Sequence, residues 1–545
     1  MTTPGSQSGQ YRSPVAPPGP PADPDDPRGD LRWGTVPALV ADAARRFGDA
    51  DALAVTKAAL AAQWSVGDRV GLWAPNYAEW VTAALGLLGA GLALVPVNTR
   101  FKGPEAADVL RRSQAKALFS VRGFLGTDYP ELLGGENLPD LEQVVVLRGE
   151  SRPGHVDLVR RQVAVTSLGD FVATGDEVSD DRARSRWEDV GPDDLSDVIF
   201  TSGTTGRPKG VTATHAQTVR TFATWANVVG LRSGDRYLIV NPFFHTFGYK
   251  AGIVACLVAG ACIVPMAVFD TAAVAATVAA EHISVLPGPP TLYQSLLDDP
   301  RSASWDLSSL RLAVTGAAVV PVELVEALRA LGLETVLTAY GLTESTGTVT
   351  MCRRGDPADT IAGTSGRAIP GVEVRVVSDD RTPLPAGEPG EVVVRGYTVT
   401  AGYLGDPDAT AETIDGDGWL HTGDIGVLDE AGNLTITDRK KDMFIVGGFN
   451  AYPAEIERVL AGHPSVSQVA VIGVPDERMG EVGCAYVVPK PDAAAGQLPE
   501  ELVGWAKDRL ANYKVPRTVR VVDALPLNAA GKVQKTELRA AWSAS

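Results

Sequence analysis

Thr201-Ser202-Gly203-Thr204-Thr205-Gly206-Arg207-Pro208-Lys209-Gly210 follows the short apolar run Val198-Ile199-Phe200. Hydroxyl residues and a lysine alternate with glycines that let the backbone come close to a ligand. Such a loop offers N–H, O–H and ammonium donors to a polyphosphate at once. Two readings stand at this point: a nucleotide cradle at the end of a buried strand, or a Gly/Ser/Thr surface loop. A Walker A loop is excluded, because counting from Gly203 puts Pro208 where its second glycine belongs.

Composition narrows the choice. At 545 residues the chain is too long for one ordinary core, so two or more domains are expected. A net charge of −17 argues against nucleic acid as a partner, since phosphate backbones need a basic surface. An anionic ligand must then be held by local donors. Cys256, Cys262, Cys352 and Cys484 lack metal-ligand spacing, which points to a reducing compartment without zinc or a disulfide framework. Residues 1–31 are rich in Pro, Gly, Ser and Asp and have no apolar h-region, so a disordered extension is expected rather than a secretory signal. The apolar stretches 81–97 and 252–269 are broken by glycines and by Pro96 and Pro265, which suits a buried helix followed by a buried strand. A cytoplasmic enzyme with no integral membrane segment is the expectation.

Outward from the loop the pattern is α/β. Helices are expected at 36–47, 103–113 and 215–229, and strands at 52–55, 67–73, 117–120, 310–314 and 335–338; residues 133–192 read as polar and loop-rich. Helices alternating with apolar runs imply layered, mostly parallel sheets covered on both faces. After Pro370 the elements become short strands, and from about residue 440 a small α+β segment follows. The fold class is thus α/β: a large N-terminal domain with a small strand-rich subdomain, then a small α+β C-terminal domain.

Three further stretches carry chemistry. Asn241-Pro242-Phe243-Phe244-His245-Thr246-Phe247-Gly248-Tyr249-Lys250 is either core or the wall of an organic-acid pocket, with Lys250 snorkelling to solvent or facing a polar part of the substrate. Gly316 and Ala317 leave one strand, and Tyr340 to Glu344 leave the next, at the ends where doubly wound sheets bind ligands. Small residues permit a flat ring, Tyr340 could cover its other face, and Glu344 is either a hard ligand for Mg²⁺ or a carboxylate at a helix N-terminus. Asp438-Arg439-Lys440-Lys441-Asp442 is a solvated turn or a hinge.

In this order TSGTTGRPKG (201–210), YGLTE (340–344), GWLHTGD (418–424), DRKKDM (438–443) and AAGKVQK (529–535) resemble the adenylate-forming superfamily of acyl-CoA synthetases, luciferases and peptide-synthetase adenylation domains. The resemblance implies an ATP-dependent, AMP-forming acid–CoA ligase with ATP, Mg²⁺ and CoA. It gives Thr201, Ser202, Gly203, Thr204, Thr205, Gly206 and Lys209 the β- and γ-phosphates, and Gly316, Ala317 and Tyr340 the adenine. Thr343 would sit at the α-phosphate, Glu344 would hold Mg²⁺, and Asp424 with Arg439 would take the ribose. Lys441 matches the hinge, Lys532 the lysine bridging carboxylate and α-phosphate, and Gly447-Gly448 the loop that meets the pantetheine arm. The implied domains are 32–439, which binds AMP, and 440–545, which rotates. Small-molecule acid and CoA are the implied partners, and a homodimer is compatible with them.

The charge balance explains those residue types: a carboxylate attacking a triphosphate brings two anions together, so an ammonium and a metal must neutralise both. FFHTFGYK (243–250), LPGPPT (286–291) and GGFNAYP (447–453) look most like the actinobacterial ligases of steroid-ring indanedione propanoates, which implies an acid pocket at His245, Phe247, Gly248, Tyr249 and Lys250. Polar groups at 249 and 250 favour a keto-bearing ring over a medium-chain fatty acid. The same motifs are compatible with loading of a carrier protein and with a non-catalytic binding homologue. One departure stands out. Superfamily members carry a further strand pair and helix after the 52–55 strand, whereas only residues 56–66 stand here, so an uncovered hydrophobic face is expected.

Overall fold

The computed structural model describes residues 33–47, 52–150, 154–201, 208–316, 320–439, 442–446, 449–491, 493, 496–527 and 533–543. A mostly parallel sheet organises the first part. Its strands are β1 (Arg69–Trp73), β2 (Ala93–Pro96), β3 (Ala117–Val121), β4 (Gln143–Arg148), β5 (Gly154–Leu158), β6 (Arg161–Ser167), β7 (Leu195–Thr201) and β8 (Lys209–Thr214). Across the sheet they run β5-β6-β4-β3-β1-β2-β7-β8, with antiparallel β5 and β8 at the edges. β1 to β3 are apolar and almost wholly buried, as strands covered on both faces must be.

A second sheet contains β9 (Arg236–Ile239), β10 (Cys262–Pro265), β11 (Leu312–Gly316), β12 (Thr335–Tyr340), β13 (Thr350–Met351) and β14 (Arg367–Ala368). β10 pairs β9 and β11 pairs β12 in parallel, and Val285 bridges Tyr237 to Leu312. Next comes an antiparallel meander of β15 (Val372–Val377), β16 (Gly390–Gly396), β17 (Leu420–Leu428) and β18 (Leu434–Arg439). The last sheet holds β19 (Phe444–Val446), β20 (Phe449–Ala451), β21 (Val466–Asp476), β22 (Gly480–Pro489) and β23 (Thr518–Val521). One extensive apolar core draws on residues from Val36 to Leu434, and a separate one on residues from Phe444 to Leu538.

Local chemistry sets the element ends. The helix His215–Val229 opens on Thr214, whose side chain accepts from Gln217 N while Gln217 reaches back to Thr214 N; it closes on Gly230 at φ 73°. That is a capping box and a left-handed glycine cap, both readable in the sequence.

Three expectations are corrected. Residues 52–55 are no strand: they open the helix Ala52–Ala61, in which five of ten residues are Ala, the best helix former. That helix also corrects, in part only, the expected bare face at 56–66, where Val66 stays 45% exposed. It packs on the helix Ala78–Gly89 so closely that a Cβ on Gly86 would lie 2.5 Å from Ala52 O. Thr56 Oγ1 donates to Gly86 O at 2.7 Å and accepts from Trp187 Nε1 at 2.9 Å, and Trp64 is buried against Phe171. Residues 133–192 are also more regular than expected, holding β4, β5, β6 and the helices Leu168–Ala173 and Asp180–Asp189. Cys256, Cys352 and Cys484 are buried and Cys262, on β10, is exposed. Among the described residues no helix is long and apolar enough to cross a membrane. The N-terminal extension 1–31 lies outside the described residues.

Candidate functional site

β7 and β8 form an antiparallel pair whose register sets Thr201 opposite Lys209, so the glycine-rich stretch lies between two adjacent antiparallel strands. Thr201 Oγ1 donates to Lys209 O at 3.4 Å, and Arg112 Nη1 donates to Pro208 O at the other shoulder. Ser202, Gly203, Thr204, Thr205 and Gly206 lie outside the described residues.

The carboxyl ends of β11 and β12 bring the next group together. Parallel pairing sets Gly316 beside Ala339, and a Cβ on Gly316 would stand 2.4 Å from Ala339 O, so only glycine fits there without a shift. Ala317 lies outside the described residues. Tyr340 Oη donates to Asp424 Oδ2 at 2.6 Å, so the residue expected at adenine and the residue expected at ribose are in contact. β17 and β18 pair Asp424 with Arg439 in register; the Arg439 side chain is outside the described set.

Thr343 and Glu344 stand on a single 3-10 turn, Thr343–Ser345, whose following residue Thr346 has φ 57° and is fixed by Oγ1 donating to Thr398 O at 2.7 Å. Glu344 O accepts from Thr400 N at 2.8 Å, and Glu344 Oε1 accepts from Tyr403 Oη at 3.0 Å. Lys209 Nζ lies 4.8 Å from the centroid of the same Tyr403 ring. Burial, and then the Glu344 charge, push the Tyr403 phenol well above its ordinary range, so it stays a donor at neutral pH. Among the described residues no group of three His, Cys, Asp or Glu is assembled to cage a metal. The Glu344 carboxylate is the kind of oxygen donor that fits Mg²⁺, which takes one or two carboxylates plus nucleotide oxygens.

His245 caps the short turn Thr246–Gly248: its Nδ1 accepts from Phe247 N at 3.2 Å, which leaves the neutral ring's proton on Nε2. His245 and Phe247 are half-buried, and a Cβ on Gly248 would meet Pro242 O at 2.2 Å. Thr246 also reaches the Glu344 turn, since a Cβ on Gly347 would lie 3.0 Å from Thr246 Cβ.

Tyr249 and Lys250 stand together, and the expectation for Lys250 is corrected. They begin the π-helical turn Tyr249–Val254, whose wider i→i+5 winding turns them into the core. Tyr249 is fully buried, with its ring edge-on to Trp80 at 5.6 Å, and burial holds its phenol well above the ordinary range. Lys250 Nζ pairs with Asp197 Oδ1 at 2.9 Å, both side chains 1% exposed, so it neither reaches solvent nor faces an acid pocket. Burial lowers the Lys250 pKa and the Asp197 charge opposes the shift. Asp197 Oδ2 accepts from Ser196 Oγ at 2.7 Å, which gives the carboxylate a second partner.

Lys441, Gly447, Gly448 and Lys532 lie outside the described residues. Tyr403 and Asp197 are residues that sequence reasoning passes over. The only signal for Tyr403 is an aromatic among turn formers, Ala401-Gly402-Tyr403-Leu404-Gly405-Asp406-Pro407.

Residues 49–404 match the AMP-binding enzyme family and residues 455–532 the AMP-binding enzyme C-terminal domain. The chain is 50% identical over 528 residues to the 3-[(3aS,4S,7aS)-7a-methyl-1,5-dioxo-octahydro-1H-inden-4-yl]propanoyl:CoA ligase of Rhodococcus jostii (strain RHA1), covering 93% of this chain and 98% of that protein. It is 49% identical to the ligase of the same name from Mycobacterium tuberculosis (strain ATCC 25618 / H37Rv), over 92% and 95% of the two chains. Among solved structures it is similar to the anthranilate CoA ligase AuaEII in complex with anthranoyl-AMP, with a TM-score of 0.80, 30% identity and 91% of each chain covered.

Proposed function

The chain belongs to the family of AMP-binding enzymes, and on that premise we propose an AMP-forming acid–CoA ligase whose acid is a propanoate on a fused, keto-bearing ring system. The observation that carries the substrate is 50% identity sustained over 98% of the Rhodococcus jostii ligase. Lys250 adds nothing to that choice of acid, because its charge is satisfied by Asp197.

In the first half-reaction the acid's carboxylate oxygen attacks the α-phosphorus of ATP and pyrophosphate leaves. In the second, the thiol of CoA displaces AMP from the acyl carbon. The loop from Thr201 to Lys209 takes the β- and γ-phosphates, and Thr343 the α-phosphate. Gly316, Ala317 and Tyr340 frame adenine, and Asp424 and Arg439 take the ribose hydroxyls. Glu344 would hold Mg²⁺, which when bound supplies positive charge to the phosphate oxygens. Lys532 brings an ammonium to the carboxylate and α-phosphate, where negative charge accumulates in the transition state. His245 lies on the acid's side of the site. Division into 32–439 and 440–545, with Lys441 as pivot, lets Lys532 withdraw and the Gly447-Gly448 loop present the pantetheine arm. A cytoplasmic location suits this reading, because ATP and CoA are both supplied there.

ATP–pyrophosphate exchange with a panel of acids, followed by thioester formation on CoA, tests the proposal. The expected result is that the indanedione propanoate exceeds medium-chain alkanoates by at least about tenfold in kcat/KM. Equal or greater activity with alkanoates would overturn the substrate, and exchange with no acid would overturn the ligase.

A further inference from the structure

Tyr403 stands between the two charged groups that the proposed reaction needs at the polyphosphate. Its hydroxyl is spent on Glu344 Oε1, and its ring face receives the Lys209 ammonium. Among the described residues Lys209 and Glu344 form no ion pair with each other, although both reach the same side chain. The loop that carries Tyr403 is stitched to both neighbours. Leu404 N donates to Gly210 O at 2.8 Å and Thr212 Oγ1 to Gly402 O at 2.8 Å, which ties it to β8 immediately beyond the phosphate loop. On its other side Thr400 N donates to Glu344 O at 2.8 Å. An ammonium within about 6 Å of a phenol ring is attracted to its face, and a phenol donating to a carboxylate makes a charge-assisted hydrogen bond.

We propose that Tyr403 is a positioning residue that holds the cation ligand Glu344 and the phosphate ligand Lys209 apart and aimed. This rests on the reading above that these two groups receive magnesium and phosphate. A direct Lys209–Glu344 pair would neutralise both and would have to break before magnesium and nucleotide could enter. With a tyrosine between them, each charge is oriented by a contact that does not neutralise it and that stays in place when the ligand binds, the carboxylate engaging Tyr403 through Oε1. The two halves of the side chain are separable: the hydroxyl serves the cation ligand, and the ring serves the phosphate lysine.

Calorimetric titration of the full chain with ATP, with and without Mg²⁺, reads this without turnover. Tyr403→Phe should leave metal-free ATP affinity within about twofold of the parent and reduce the gain in affinity on adding Mg²⁺ by about tenfold, the value of one charge-assisted hydrogen bond. Tyr403→Leu should lower metal-free ATP affinity as well, because Lys209 and Glu344 can then pair directly. Equal losses in Tyr403→Phe with and without Mg²⁺, or no loss in either, would overturn the proposal, as would a Tyr403→Leu protein no different from Tyr403→Phe. Unchanged melts in both variants guard against simple unfolding. If the parent protein itself shows no magnesium-dependent gain in ATP affinity, the underlying assignment of Glu344 fails, and that result is distinguishable from failure of the Tyr403 role.

Discussion

Replacing Lys250 by Met should be among the most damaging single substitutions in the molecule. Asp197 sits on β7 with its side chain 1% exposed, so its carboxylate is shut off from solvent. The Lys250 ammonium, 2.9 Å away, supplies the compensating charge. At an effective dielectric of about 20 that contact is worth roughly 6 kcal/mol of Coulomb energy, and burial of both ions offsets much of it. Losing one partner is different. Methionine keeps the stem but leaves the carboxylate, among the described residues, to the hydroxyls of Ser196 at 2.7 Å and Thr218 at 3.4 Å. Breaking a buried pair in this way costs about 3–5 kcal/mol. Urea unfolding followed by tryptophan fluorescence measures the loss, and Lys250→Met combined with Asp197→Asn should recover most of it. A loss below about 1 kcal/mol, the range of exposed pairs, would refute the reasoning. So would a stable Lys250→Met protein whose acid selectivity changed, because Lys250 would then face the substrate.

Three further outcomes are expected. His215 is fully buried, and burial pushes its pKa down to about 4; the unfolded chain therefore binds the extra proton between about pH 6.5 and 4, and stability falls across that window by up to about 3 kcal/mol as pH drops. His215→Gln should flatten that limb in urea titrations at stepped pH, and an unchanged limb would contradict the assignment. Gly316→Ala forces a Cβ to within 2.4 Å of Ala339 O, so the KM for ATP should rise by about tenfold or more in pyrophosphate exchange, and a change under twofold would contradict an adenine site there. Lys532→Ala should depress adenylation by at least about a hundredfold while thioester formation from supplied acyl-adenylate stays near the parent rate; equal losses in both halves would contradict its role.

Much of the frame is legible because its signals are contiguous. The helix His215–Val229 carries its own caps, and the parallel strands read as unbroken apolar runs. The Ala52–Ala61 helix misleads for a related reason. Ala52-Leu53-Ala54-Val55 is a short apolar run that periodicity cannot assign, and only the following Ala-rich residues and the glycine notch at Gly86 settle it as a helix. The short alternating strands β5 and β6 are illegible because polar residues on their open face mask the buried one.

The site obeys the same rule, with a sharper consequence. Each nucleotide motif announces its own residues, yet the contacts that orient them join distant segments: Tyr340 to Asp424 across 84 positions and Glu344 to Tyr403 across 59. Lys250 shows what is lost when such a partner is missed. Beside its aromatic neighbours it reads as a substrate group, because a buried ammonium without a partner is too costly to be core. The premise is sound and the conclusion fails, because the partner, Asp197, stands far upstream in a strand that is buried through its middle. A charged residue in an apolar stretch therefore poses a question of pairing before one of function. Tyr403 poses the converse: a residue that reads as turn filler holds the two charges the chemistry requires, and only its neighbours across the fold disclose it.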